Sequence, residues 1–353
     1  MGKGKLAIGL DIGSSSVKLV QLRERKGSYA LQAYGVAPLP PETIVDGALM
    51  NSAAVVQAIQ QLLSTQKVKG KEAAIGVRGH SVIIKKISVP RMSHEELDES
   101  MQWDAEQYIP FDVKDVNLDT QILHVDEAAG QMDVLLVAAK KDLIHDYGAV
   151  CTEAGLNATV VDVDAFAVHN AYEVSYPATP GETVVLMNVG AAVTNIHIVS
   201  DGVTAFTRDV AMGGNAFTEE IQKHLNVSYE EAEALKIGGH GDSDAVVPRE
   251  VERILQSVAE QLAAEVQRSL DFYAAAAAGH AIARAFLSGG MARVPALFRA
   301  IEQRAAIPVE ILNPLKEIEV DDRRFDAATL NRTSAAATVA VGLALRRAGD
   351  KWQ

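Results

Sequence analysis

A single cysteine, Cys151, stands in 353 residues. One thiol cannot staple a secreted fold, and no cluster of histidines and cysteines surrounds it, so neither a disulfide framework nor a zinc centre is expected. Cys151 lies in a helical-looking stretch and reads as a small buried hydrophobe rather than a nucleophile. The nine histidines show no paired ligand spacing. No run of about 18 apolar residues occurs, which excludes a membrane-spanning helix. The opening MGKGKLAIGLDIG lacks the apolar core of a signal peptide, and Leu6 breaks the myristoylation pattern. Basic excess is missing too. The formal net charge is -13, which excludes a nucleic-acid role driven by phosphate contacts and unaided binding to anionic lipid. What remains is ordinary globular composition, 48% hydrophobic and 22% charged, in a chain long enough for more than one domain. A reducing cytoplasm is the expected compartment.

The chain opens strand–turn–strand. KLAIGLDIG closes at Gly13, SSVKLVQL alternates, and YALQAYGVAPLP forms a third strand. Val55, Ile59, Leu62 and Leu63 then recur at helical spacing before the strand AAIGVRG. From Val82 to Cys151 the pattern is a strand, a helix opened by a capping box of Ser93 and Glu96, two strands joined at Gly130, and a further helix. This β-α-β-β-α block is expected to be an inserted subdomain. Trp103 and Tyr108 on its helix are read either as core or as the lining of a partner groove. The strand TVVDVD and the helix AFAVHNAYEV follow, then the linker SYPATPGE, the best boundary between halves.

After the linker, ETVVLMNVGAAVTNIHIV repeats the N-terminal pattern. Asp11-Ile-Gly13 aligns with Asn188-Val-Gly190 at an offset of 177 residues. Such a unit is too large for a solenoid and suggests a duplicated α/β domain. The second half continues through VTAFTRDVAMGG, a helix, a second helix with the capping box Ser228 and Glu231, and the glycine-rich loop GGHGDSD. A long helix follows, with one apolar stripe running from Val251 to Leu270. Alternating strands and helices then complete the chain.

Four glycine-bearing turns follow predicted strands: Gly13, Gly190, Gly213-Gly214 and Gly289-Gly290. A single such turn is as readily a tight bend as a ligand site. In a duplicated α/β protein, however, ligands bind at strand ends between the halves. DIGSSSVK can ring a phosphate with backbone N–H groups and with the hydroxyls of Ser14, Ser15 and Ser16, and Lys18 adds a positive charge. Asp11 can hold Mg²⁺ through its water shell. The plainer alternative is a solvated turn with Lys18 on an outer face. Glu233 and Lys236 share a helix face and can bracket a ribose and base, or form a surface ion pair.

These motifs resemble those of the actin-like ATPase superfamily. DIGSSSVKLVQL is similar to its first phosphate motif, NVGAAVTNIHIV to its second and LSGGMARVPAL to its adenosine motif; DVDAFAVHNAY and SAAATVAVGLALR look like its two connecting helices. Within it, QYIPFDVKDVNLD, EAEALK and VGLALR are similar to runs of the PilM family of type IV pilus assembly proteins. The resemblance implies a duplicated actin-like (ribonuclease H-like) α/β fold, with two domains around a nucleotide cleft and an inserted subdomain. By it, subdomain 1A spans 1–82 and returns at 156–180, the insert 1C spans 83–155, 2A spans 181–215 and 281–353, and 2B spans 216–280. It further implies ATP or ADP with Mg²⁺, held by the residues already named together with Ala191 and Thr194; Asp11 and Asn188 act on the metal through waters. The implied partner is the N-terminal cytoplasmic peptide of the inner-membrane protein PilN, docked between the first subdomain and the insert, within a PilM–PilN–PilO platform. Cytoplasmic pilus motor ATPases and a second copy of the chain are further candidate partners.

Asn188 departs from the Asp usual in the second phosphate motif. It keeps shape but loses charge, so ATP binding with slow or absent hydrolysis is expected. A sugar- or acetate-type kinase of the same superfamily is the alternative. It needs a carboxylate base, for which Asp162 and Asp164 are candidates, although Asp164 also suits a helix cap. The filament-forming FtsA relatives end in an amphipathic anchor. Here the chain ends LALRRAGDKWQ, so membrane contact is expected only through the partner, at the inner membrane.

Overall fold

The structure is a computed structural model and describes residues 5–238, 248–276 and 281–350. The glycine-rich loop lies outside these residues from position 239 onward, as does the Ala-rich end of the long helix from position 277. The first half begins with β1 (Ile8–Ile12), β2 (Ser16–Arg25) and β3 (Ser28–Pro38). A small hairpin of β4 (Ile44–Val45) and β5 (Ala48–Leu49) leads to α1 (Ser52–Thr65) and β6 (Glu72–Val77). The inserted block supplies β7 (Val82–Pro90), α2 (His94–Asp104), β8 (Val116–Asp126) and β9 (Gln131–Lys140). Then come α3 (Lys141–Glu153), β10 (Asn157–Val163) and α4 (Asp164–Ser175). The second half holds β11 (Thr183–Val189), β12 (Thr194–Ser200), β13 (Val203–Val210), α5 (Gly214–Leu225), α6 (Tyr229–Gly238) and α7 (Arg249–Ala276). It ends with β14 (Arg284–Ser288), α8 (Pro295–Ala305), β15 (Val309–Ile311), β16 (Ile318–Glu319), α9 (Ala327–Thr333) and α10 (Thr338–Leu343).

Two sheets repeat one topology. The first runs β10-β6-β1-β2-β3-β16 and the second β15-β14-β11-β12-β13, so each strand of the second has a counterpart in the first. Within each sheet the first hairpin is antiparallel and the two strands beyond it are parallel. The 177-residue offset holds in register: Asp11 pairs with Lys18 in the first hairpin, and Asn188 with Asn195 in the second. The central strands read as continuous apolar runs because helices cover both faces. The apolar stripe of α7 is buried as its spacing requires, from Val251 through Leu270.

The connecting helices α4 and α10 pack on each other between the sheets with almost no side-chain spacing. A Cβ on Gly342 would lie 1.7 Å from the Ala167 carbonyl oxygen, and one on Gly9 would lie 2.0 Å from the Ala340 oxygen. The predicted C-terminal helix is accordingly short, a 3-10 turn at Ser334–Ala337 followed by α10.

The inserted block forms a three-stranded sheet, β7-β9-β8, and α2 buries Leu97 and Met101 in the block's own core with Ile87, Val134 and Leu136. Both capping boxes form, at Ser93–Glu96 and Ser228–Glu231. One element of the block belongs elsewhere. Helix α3 does not pack in the insert; its Tyr147, Val150 and Cys151 join α1 in the core of the first sheet. It is the crossover between β6 and β10, as α8 is between β14 and β15. Cys151 is fully buried and free, and burial pushes its thiol up to about 12, so it stays protonated and inert.

Candidate functional site

The two hairpin turns face each other across the junction of the halves. Each closes with the same backbone bond: Gly13 N donates to Ser16 O and Gly190 N to Val193 O, both at 3.0 Å. Between the turns lies a cavity of about 470 Å³, lined by Ser14 and Ser15 from one side and Ala191, Ala192 and Gly213 from the other. A second cavity of about 270 Å³ shares Ser15 and Ala191 with it and reaches Gly214, Glu233, Lys236 and Gly290. A third, of about 310 Å³, shares Ser14 and Ala192 and ends at Arg78 and Asp209. The three form one run with the turns in the middle.

The glycines divide into two kinds. Gly213 and Gly289 are required by the protein itself. A Cβ on Gly213 would meet the Gly190 oxygen at 2.5 Å, and Gly289 has φ +89 with the Val189 oxygen 2.3 Å from its would-be Cβ. Gly290, by contrast, has open space where its side chain would be. Gly214 starts α5, and its N–H donates to Gly190 O at 2.9 Å, tying the helix to the turn.

Glu233 and Lys236 are not a surface pair. Lys236 is buried, with Nζ donating to Gly214 O (3.2 Å), to Thr218 Oγ1 (2.8 Å) and to Glu233 Oε1. Burial lowers its pKa, with Glu233 opposing. These three acceptors use its three donors, so Lys236 fixes the pocket wall where α5 meets α6. Glu233 Oε2 has no hydrogen-bond partner among the described residues.

At the other end, Asp11 is buried between two cations: Lys18 Nζ at 3.1 Å and Arg78 Nη1 at 3.3 Å. Burial pushes its carboxyl up, but Lys18 and Arg78 outweigh this and hold it below the usual range. Arg78 also pairs with Asp164 and donates through Nη2 to Ile12 O at 2.7 Å. Asp164 is fully buried; burial pushes its carboxyl up to about 6, with Arg78 opposing. It does not cap α4 as its position suggested, because its side chain turns back to Arg78. From the second half, Asp209 accepts from Asn195 Nδ2 and from the Gly79 N–H, each at 2.7 Å, and so bridges the halves. Asn188 Nδ2 donates to Asn195 Oδ1 at 3.1 Å. The repeat thus replaces the Asp11–Lys18 ion pair with a neutral amide pair.

Several expected ligand groups are already engaged. Lys18 lies inside against Asp11, not on an outer face. Thr194 is fully buried and its hydroxyl donates to Met212 O at 2.7 Å, so it braces the second turn instead of facing the cleft. Ser16 lines none of the three cavities and serves through its carbonyl. Mg²⁺ fits poorly: the charge of Asp11 is cancelled by two cations, and Asn188 contributes none. Among the described residues, no group of three or more metal-ligating side chains gathers. Asp162 and Asp164 are not positioned as kinase bases either, since Asp164 is held by Arg78 and Asp162 lies on another groove.

That groove, about 280 Å³, runs between β8 and β10, the edge strands of their sheets. Leu118, Leu135, Val137, Val161 and Phe166 line it, together with Asp119 and the buried Asp162. Burial raises the Asp162 carboxyl, with Arg346 3.5 Å away opposing. Trp103 takes neither expected place: it is 83% exposed on α2 and lines no part of this groove. Tyr108 packs against the core of the insert. Arg78 and Asp209 escaped sequence reasoning; the only local signal was an arginine at the end of a strand just before Gly79.

Residues 9–348 match the family described as type IV pilus assembly protein PilM. The chain is 28% identical to a solved chain of a PilM–PilN type IV pilus biogenesis complex, with a TM-score of 0.86 over 96% of this chain and 98% of that one. It is 25% identical over 270 residues to cell division protein FtsA of Enterococcus faecalis, 69% of this chain and 60% of that protein. The chain therefore spans about six-tenths of the length of that curated relative. MreB5 of Spiroplasma citri bound to AMPPNP shares the fold, with a TM-score of 0.51 at 14% identity over 97% of this chain and 95% of that one.

Proposed function

The chain belongs to the PilM family of type IV pilus assembly proteins, and on that premise we propose that it is an actin-like pilus assembly component holding an adenine nucleotide between its halves. The observation that carries this reading is the continuous run of cavities over the two matched turns. Backbone N–H groups at Ser14, Ser15, Ala191 and Ala192 suit phosphate oxygens. Gly290 leaves room for a sugar and a flat base, and Glu233 offers an acceptor to ribose hydroxyls, whereas the space beside Gly214 is taken by Met291, whose Sδ would stand 3.0 Å from a Cβ there. The nucleotide is ATP or ADP. Asn188 and the neutralised Asp11 leave neither turn a free carboxylate to steer a metal or a water, and the Asp209 carboxylate is held by Asn195 and the Gly79 N–H, so hydrolysis is slow or absent. Asn188→Asp is expected to raise steady-state phosphate release several-fold; equal rates for wild type and variant would refute this.

The second part of the proposal is a docking role. The groove between β8 and β10 offers two strand edges over an apolar floor with two acidic side chains. That suits an extended peptide with apolar and basic side chains, added as a strand. The occupant proposed is the cytoplasmic N-terminal peptide of a PilN-type protein, which would place the chain in the cytoplasm at the inner membrane; among the described residues no helix is long and apolar enough to cross a membrane. Val77 and Val163 line the groove and directly precede Arg78 and Asp164. This adjacency supports coupling between nucleotide state and peptide. Leu118→Glu is expected to weaken binding of a synthetic peptide of the first dozen PilN residues at least tenfold without changing nucleotide affinity. Unchanged peptide affinity in a titration would move the docking site elsewhere.

A further inference from the structure

We infer that Arg78 reads the terminal phosphate of the bound nucleotide and so discriminates triphosphate from diphosphate. The inference rests on the reading of the cleft as a nucleotide site and adds to it a residue outside all four glycine turns. The cavities fix the order of the parts. Gly290, Glu233 and Lys236 lie at one end, the matched turns in the middle, and Arg78 lines the cavity at the far end with Ser14, Ala192 and Asp209. A nucleotide with its base at the first end and its inner phosphates on the turns points its last phosphate toward Arg78.

The guanidinium is built to receive an anion there. It carries five N–H donors, and acceptors on Asp11, Asp164 and Ile12 take three of them. The remaining donors belong to a side chain that lines the cavity and is 18% exposed. Arginine matches phosphate geometry with paired N–H groups better than lysine does. Its rigidity is also set in advance. Asp11 near the end of β1 and Asp164 at the start of α4 grip it from two sides, and Gly76 makes room for the second: a Cβ there would lie 2.1 Å from Asp164 Oδ1. Asp209 holds the neighbouring Gly79 N–H from the opposite half, so the position of Arg78 depends on how the halves meet.

The test is a calorimetric titration of the full chain with AMPPNP and with ADP. Wild type is expected to bind AMPPNP several-fold tighter than ADP. Arg78→Gln should weaken AMPPNP about tenfold and leave ADP within about twofold, so that the preference disappears. Removing the cation strands Asp164, while Asp11 keeps Lys18, so Arg78→Gln/Asp164→Asn, which removes the pair together, is measured beside it. Arg78→Lys should recover part of the preference. A preference for AMPPNP retained in both glutamine variants would overturn the inference, as would an equal loss of both nucleotides. If wild type binds neither, the nucleotide reading of the cleft fails first, a result separate from the other two.

Discussion

Replacing Gly290 with leucine is expected to abolish nucleotide binding, weakening it at least about 100-fold, while the melting temperature stays within about 1 °C of wild type. The expectation follows from what a side chain would meet. Nothing lies within 4 Å of a Cβ at Gly290, and the residue is not in the left-handed region. A leucine there would fill part of the cavity of about 270 Å³ without disturbing the backbone. Its neighbour gives the contrasting result. Gly289→Ala forces a side chain onto φ +89 and against Val189, so it is expected to cost about 2 kcal/mol or more of stability. Fluorescent nucleotide titration paired with thermal unfolding separates the two. Wild-type affinity in Gly290→Leu would remove this end of the cleft from the site.

The second large effect is on stability. Gly342→Ala is expected to destabilise the protein by roughly 3 kcal/mol or more, because the added methyl would stand 1.7 Å from the Ala167 carbonyl oxygen and the obstructing atoms are backbone. Helices α4 and α10 would have to separate, and both sheets rest on that pair. The control is Gly148→Ala in α3, where a Cβ meets nothing within 4 Å; it should be neutral or slightly stabilising through helix propensity. Chemical unfolding of both variants decides the matter. Equal stability would mean that the helices slide apart at little cost and that their contact is loosely packed.

Much of the fold was legible because its signals are local. Two glycine turns at a fixed offset revealed the duplication, and the register pairs Asp11–Lys18 and Asn188–Asn195 carry that offset into the sheets. Capping boxes and the α7 stripe are likewise short-range patterns. What failed depended on contacts between distant elements. For Glu233 and Lys236 the sequence left a ribose bracket and a surface ion pair both open, since nothing nearby in sequence announces that Gly214 and Thr218 will close over the lysine. Asp164 has the position of a helix cap, but the burial of Arg78 beside it gives its carboxylate a stronger partner. Trp103 has the size of a core residue, yet its place on α2 faces outward, where Leu97 and Met101 already fill the inner face. Arg78 itself has no motif. Its meaning appears only when β1, β6 and the start of α4 converge.

The central claim is that the matched turns enclose one nucleotide between the halves. A crystal structure of the full chain grown with AMPPNP tests it most directly. The account predicts phosphates within hydrogen-bond distance of the backbone at Ser15 and Ala191, the base against Gly290, and the last phosphate toward Arg78. A nucleotide bound in the groove between β8 and β10, or a cleft left without density at saturating ligand, would contradict it.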